Sequence, residues 1–259
     1  MKHSSQSLPV AVITGAGSGI GLATASRFAS EGWDVVLIGR RAELLNAAAQ
    51  KIGRPASVFA FDIAASNSPL QIRQWIEKNS GVAERITALV HNAGIYEQAT
   101  TLASTAESWQ RLFETNVFGV IRLTQSLYPF LKFNRGSITT VSSTLGLRPT
   151  HNTAAYSASK AAIINWGQSF AKEAAPDGVR INTVCPGIVD TPIHAARPGA
   201  ASGDPQDLKK LMKDMGPFQP LGRVGQPEEI AHMIWALSGP GSEWTTGAVV
   251  TVDGGINLV

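Results

Sequence analysis

Seven short, mostly apolar runs recur along the chain: VAVIT (10–14), DVVLIG (34–39), SVFAFD (57–62), ITALVHN (86–92), GSITTVSS (136–143), VRINTVCPG (179–187) and AVVTVDGG (248–255). They are rich in β-branched residues and do not alternate apolar with polar, the pattern of strands buried on both faces of a parallel sheet. Helical patterns fill the intervals: GIGLATASRFASEG ending at Gly32, AELLNAAAQKIG, LQIRQWIEKN, one long helix within 105–132, another across 154–175, and PEEIAHMIWALSG. The last opens on Pro227 and two acids, a normal helix start. Repeated β-α-β order implies right-handed crossovers. The expected fold is α/β: one domain over residues 1–259, built on a doubly wound parallel sheet of about seven strands with helices on both faces.

Composition narrows the function. A chain of 259 residues buries about 70–75% of its unfolded surface and supports a full core. The formal charge is +3, and the densest basic run is only GRR at 39–41, too little for a nucleic-acid footprint. The single cysteine, Cys185, excludes an intramolecular disulfide and a site of several thiolates; it is expected to be a packed small residue. MKHSSQSLP has no apolar core of a secretory signal. No apolar run reaches the roughly 20 residues that span a bilayer. A cytoplasmic protein with no membrane or nucleic-acid partner is expected.

Between 188 and about 226 the strand rhythm stops. The segment is rich in Gly and Pro, with a short amphipathic piece at 208–215. Loops this long in a compact domain are usually functional or disordered; a lid over a ligand crevice is the functional expectation, and a loose insertion is the alternative.

TGAGSGIG (14–21) follows the first run and opens the first helix. Gly15, Gly19 and Gly21 let the backbone turn tightly and approach a pyrophosphate, which the helix N-terminus attracts. Strand before and helix after make this a dinucleotide-binding signal. The second strand ends in VVLIGRR. An acid near this point would hold a ribose 2′-hydroxyl, whereas an arginine accommodates a 2′-phosphate. Arg40 and Arg41 stand there without an acid, so NADP(H) is favoured and NAD(H) remains the alternative.

YSASK (156–160) places a tyrosine four residues before a lysine, on one face of a helix. A free tyrosine has a pKa of about 10, too high for a base near neutrality. Lowering it by ~3 units takes ~4 kcal/mol, about what a cation ~4 Å away supplies at an effective dielectric of 20. Lys160 can therefore tune Tyr156 for proton transfer.

These motifs, with NAG (92–94), NVFG from Asn116, VSS ending at Ser143, PGIVDT (186–191) and GAVVTVDGG, resemble in order and spacing the short-chain dehydrogenase/reductase family over roughly residues 8–256. The resemblance implies a Rossmann-like fold and hydride transfer between a carbonyl and an alcohol. Tyr156 would be the general acid or base, and Lys160 would lower its pKa and hold the nicotinamide ribose. Ser143, thirteen residues before Tyr156, would bond the substrate oxygen. Asn116 would bind a water linking Lys160 to solvent. Ser18, Ile20, Ile63, Asn92, Ala93, Gly94, Pro186, Gly187, Ile188 and Thr191 would line the cofactor crevice, with Asp62 at the adenine amino group and Thr191 at the carboxamide. In that family the usual acidic position is Gly39. Some NADP-preferring relatives carry a second basic residue where this chain has Ser18. The resemblance also implies assembly as a homotetramer or homodimer, since the long helices at 105–132 and 154–175 match those that build the family's oligomers.

Competing readings are an NAD(H)-dependent alcohol dehydrogenase of the same family, a catalytically silent nucleotide sensor, and an enoyl reductase, against which the Tyr–Lys spacing speaks. His91, His151 and His194 lack ligand spacing, so no metal is expected; His151 and His194 are placed at the substrate mouth. The six tryptophans are expected in the core or at interfaces. Substrate determinants are expected at 144–155, at Ile95 to Gln98 and in the lid, with Leu145, Leu147, Leu211, Met212, Met215 and Phe218 forming apolar walls and Arg148 or His151 admitting a polar group.

Overall fold

The computed structural model describes residues 8–196 and 204–259; the N-terminal MKHSSQS and residues 197–203 of the expected lid lie outside the described residues. The elements run β1 (Val10–Thr14), α1 (Gly19–Ser30), β2 (Asp34–Gly39), α2 (Ala42–Ile52), β3 (Ala56–Ala60), α3 (Ser68–Lys78), α4 (Ser80–Ala83), β4 (Ile86–His91), α5 (Ala106–Phe113), α6 (Gly119–Phe133), β5 (Ser137–Val141), α7 (Ala154–Ala174), β6 (Arg180–Pro186), α8 (Pro205–Met215), α9 (Pro227–Ser238) and β7 (Val249–Val252). The seven strands form one parallel sheet in the order β3-β2-β1-β4-β5-β6-β7. The order reverses between β1 and β4, the position where open α/β sheets leave a crevice at their carboxyl ends.

The two-residue period of each strand divides its side chains between two cores. Ala11, Ile13, Val35 and Leu37 face α1 and α9, where Phe28 meets Ile230 and Ile234. Phe28, Trp33 and Trp235 contact one another edge to face with centroids 5.0–5.7 Å apart, each pair adding about 0.5–1.5 kcal/mol beyond burial. Val10, Val12, Val36 and Ile38 face the other way, against Leu123, Leu127 and Leu131 of α6. Cys185 is fully buried, as expected of a packing residue. Trp244 is wholly exposed in the single chain, so it is not one of the core tryptophans.

Three boundaries differ from the sequence reading, each for a local reason. The long helix at 105–132 is α5 and α6 joined by a π-helical turn, Glu114–Phe118. One widened turn does not disturb the apolar period, so the sequence hides it; such turns are frequent at functional sites. The third strand stops at Ala60, and Asp62 instead folds Oδ1 onto the Ala64 N–H at 2.9 Å. The seventh stops at Val252, because the Asp253 carboxylate accepts the Gly255 and Asn257 N–H groups and starts a turn over Ile256–Leu258. The base of the expected lid is tied by a bridge between Val189 and Gly225, with Asp190 N donating to Gly225 O at 2.9 Å. The amphipathic piece at 208–215 lies within α8.

Candidate active site

The β1–α1 turn supplies a phosphate cradle. Gly15 and Gly19 have φ of +66° and +52°, values open to glycine. Ser18 stands extended before α1 without a side-chain cap, and the first turn carries no acid, so the leading N–H groups remain for an anion. A Cβ at Gly21 would lie 2.3 Å from Gly15 O and 2.5 Å from Asn92 Nδ2. Gly21 therefore makes room for Asn92, whose Nδ2 donates to Thr14 O (3.0 Å) and Gly15 O (3.3 Å). Thr14 Oγ1 accepts the Asn92 and Ala93 N–H groups at 3.0 and 2.9 Å. These bonds stitch the ends of β1 and β4 into the floor of the crevice.

At one end of that crevice stand Arg40 and Arg41, both exposed. Neither side chain has a hydrogen-bond or ion-pair partner among the described residues. A Cβ at Gly39 would meet only Leu45, at 3.4 Å and beyond, so sterics leave room for a side chain where this chain has none. Thr191, at the root of the lid, packs its Cγ2 against Gly19 and donates its hydroxyl to Val189 O at 3.2 Å.

At the other end, β5 and α7 bring Ser143, Tyr156 and Lys160 together. All three are at most 9% exposed and all line the same cleft, whose volume is about 950 Å³, at the upper end of the usual range for ligand sites. Lys160 Nζ donates to Val141 O at 2.9 Å and lies 5.7 Å from the Tyr156 ring centroid. Burial pushes the Lys160 ammonium down to about 8. Ser143 Oγ accepts the Leu145 N–H at 3.1 Å, which leaves its hydrogen for a ligand. The edge of Tyr96 packs on the Tyr156 ring at 4.9 Å.

Of the residues expected to act in catalysis or to bind the cofactor, and among the described residues, only Gly21 and Asn116 do not line the cleft. Asn116 sits in the π-turn with its side chain committed: Oδ1 accepts Ile95 N (2.9 Å), while Nδ2 donates to Ile95 O (3.1 Å) and Ser159 Oγ (3.0 Å). Ser159 Oγ in turn donates to Tyr156 O at 2.7 Å. Asn116 thus ties the Tyr96 wall to α7.

The substrate walls differ in detail from expectation. Leu145, Met215, Phe218 and His194 line the cleft, but Leu147, Leu211, Met212 and His151 do not. The sequence reading missed Ile256 and Asn257, which line it; they follow the last strand without any motif. His91 is buried, held near pKa 3 by desolvation, and bonded to Thr124. Among the described residues no cluster of three metal-ligating side chains occurs, and no helix is long and apolar enough to cross a membrane.

The glycine turn, the uncapped helix and the arginines, which have no partner among the described residues, fit an anionic dinucleotide, and the chain is similar to known proteins over most of its length. A protein-family model described as enoyl-(acyl carrier protein) reductase matches residues 15–257. A 3-oxoacyl-(acyl-carrier-protein) reductase of Thermotoga maritima is 35% identical over 249 residues, covering 95% of this chain and 97% of that protein. An L-sorbose reductase of Gluconobacter frateurii, solved with NADPH and L-sorbose, is 29% identical with a TM-score of 0.88 over 98% of both chains. A 3-ketoacyl-(acyl-carrier-protein) reductase of Brucella melitensis, solved with NADH, is 30% identical with a TM-score of 0.86 over 96% of this chain and 98% of that one.

Proposed function

The chain belongs to the short-chain dehydrogenase/reductase family of NAD(P)-dependent oxidoreductases acting on CH–OH groups, and from that premise we propose that it is an NADP(H)-dependent reductase of carbonyl compounds with Tyr156 as the proton donor. The observation that carries this reading is the buried Lys160 ammonium 5.7 Å from the Tyr156 ring, in a cleft that also holds Ser143. The chemistry that a bound nicotinamide would supply is the hydride for the carbonyl carbon, or its acceptance from the alcohol.

The protein's part is the oxygen. Tyr156 donates its phenolic proton to the carbonyl oxygen in reduction and withdraws it in oxidation. Ser143, whose Oγ already accepts the Leu145 N–H, points its own hydrogen at that oxygen as charge develops. Lys160 stabilises the phenolate electrostatically and holds the nicotinamide ribose. Asn116 keeps α7 and the Tyr96 wall in register through Ser159 and Ile95; a water relay at Asn116 would run behind the cleft. Asp62 reads the adenine, and Thr191 the carboxamide.

The preference for NADP(H) rests on Arg40 and Arg41, whose side chains have no partner among the described residues, and on the missing acid at Gly39. The relative solved with NADH keeps NAD(H) as the alternative. We read the chain as one cofactor-binding and catalytic domain with residues of about 188–226 as its substrate lid. Its assembly is a homotetramer or homodimer, for which half-buried Trp166 and Phe170, stacked at 5.4 Å on α7, offer an apolar face. We place it in the cytoplasm, where its buried thiol stays reduced.

The test is a nicotinamide-absorbance screen of ketones, aldehydes and alcohols with NADPH and NADH. Reduction of a carbonyl with NADPH preferred supports the reading. Turnover of only a conjugated C=C substrate, the second reading given by the name of the matching family model, overturns it, as does no turnover of any kind.

A further inference from the structure

Among the described residues, the substrate end of the cleft contains one exposed arginine, Arg148. After Ser143 the chain enters a 3-10 turn, Thr144–Gly146. Leu147 N and Arg148 N both donate to Thr144 O, at 2.9 and 2.8 Å, so the backbone of Arg148 is fixed beside the catalytic serine. Its guanidinium reaches the turn at Ile256–Leu258, where Nη1 donates to Asn257 O. That turn is itself held by Asp253, which accepts the Gly255 N–H at 3.0 Å and the Asn257 N–H at 3.1 Å. Arg148 and Asn257 both line the cleft.

The guanidinium is therefore aimed while most of its fork stays uncommitted. No other hydrogen-bond or ion-pair partner of its side chain occurs among the described residues. Asp62, near the arginines of the cofactor end, is the only acidic side chain among the described residues lining the cleft. Lys160, the other cation near Ser143, is buried and donates to Val141 O. The lining of the same cleft also includes the apolar side chains of Leu145, Met215 and Phe218. A guanidinium oriented in this way, with no ion pair among the described residues, selects an anionic group and can hold it bidentately.

We infer that Arg148 recognises an anionic group of the substrate, so that the carbonyl compound reduced here carries a carboxylate or a phosphate remote from its reacting carbon. This rests on the carbonyl-reductase reading above. A mere latch between the 144–153 loop and the C-terminal turn would affect charged and neutral substrates alike.

The test compares matched probes with NADPH: 4-oxopentanoate, 5-oxohexanoate and 6-oxoheptanoate, each beside its methyl ester, and dihydroxyacetone phosphate beside dihydroxyacetone. In the wild type, kcat/KM for at least one anion should exceed that of its neutral partner by about 10-fold or more, the scale of a charge-assisted hydrogen bond at an exposed site. Which series shows the preference separates carboxylate from phosphate. The ratio should fall as KCl is raised. It should drop toward one in Arg148→Ala and be partly kept in Arg148→Lys. A ratio near one in the wild type, or one unchanged in Arg148→Ala, overturns the inference. Should Arg148→Ala not fold, Arg148→Gln and the wild-type salt dependence decide. Turnover of neutral carbonyls without charge preference defeats this inference alone; no turnover of any carbonyl by the NADPH-binding enzyme defeats the reductase reading beneath it.

Discussion

The Lys160 ammonium lies 5.7 Å from the centre of the Tyr156 ring, one helical turn further along α7, and both side chains are buried at the edge of one cleft. Burial lowers the Lys160 pKa to about 8, so the group is cationic at neutral pH and loses its charge as pH rises through about 8. Carbonyl reduction should therefore weaken above that pH, when the phenolate loses its counter-charge. In Lys160→Arg, whose guanidinium stays protonated to beyond pH 12, any remaining activity should lack that limb. The kcat/KM profile for reduction, measured for both proteins, checks this.

The same shift predicts how stability varies with pH. A lysine whose folded pKa is depressed from 10.5 to about 8 binds fewer protons in the folded than in the unfolded state between those values. Stability rises with pH wherever the unfolded state binds more protons. The cofactor-free protein should thus gain up to about 3 kcal/mol from this group between pH 8 and 10.5, at 1.36 kcal/mol per unit. Lys160→Met should remove that rise and be the more stable protein below pH 8. Urea unfolding at a series of pH values reads both.

Gly21 is a steric requirement of the cradle. Alanine there would put a Cβ 2.3 Å from Gly15 O and 2.5 Å from Asn92 Nδ2, breaking the stitch between β1 and β4. Gly21→Ala should cost about 2–3 kcal/mol, the upper range of overpacking, and weaken NADPH binding. Gly81→Ala, with nothing within 4 Å, should be neutral or stabilising by up to about 1 kcal/mol. Thermal unfolding and NADPH titration of the two variants make the comparison.

Arg40 has no partner among the described residues at the cofactor end, and Gly39 leaves space beside Leu45. Arg40→Asp replaces an attraction for a 2′-phosphate with a repulsion. The ratio of kcat/KM with NADPH to that with NADH should fall about 100-fold, within the range of charge-assisted contacts. Gly39→Asp should move the ratio the same way. Unchanged preference in both would remove the arginine clamp.

The sheet was legible because its strands are buried on both faces, and continuous apolar runs such as VAVIT and DVVLIG can do little else. The cradle and the Tyr156–Lys160 pair were legible because each is local: a turn needs its glycines in sequence, and a helix face needs a fixed spacing. What was hidden is what depends on distant segments meeting. Nothing in the composition of 95–99 shows that Asn116 would grip Ile95 or that Tyr96 would lie on Tyr156. Asn257 reaches the cleft only because Asp253 turns the chain after β7. Leu211 and Met212 were placed on the substrate wall by hydrophobicity, yet α8 presents Met215 to the cleft and leaves both out of its lining. His151 is exposed and outside the cleft for the same kind of reason, whereas His194 lies within it.

The central measurement is the rate of NADPH oxidation by Tyr156→Phe with a carbonyl that the wild type reduces, beside the affinity of both proteins for NADPH. Loss of general acid catalysis predicts a fall in kcat of about 10³-fold, with NADPH bound as tightly as before. A variant that retains turnover within tenfold of the wild type contradicts the account, because the proton would then reach the substrate oxygen from somewhere other than the phenol beside Lys160.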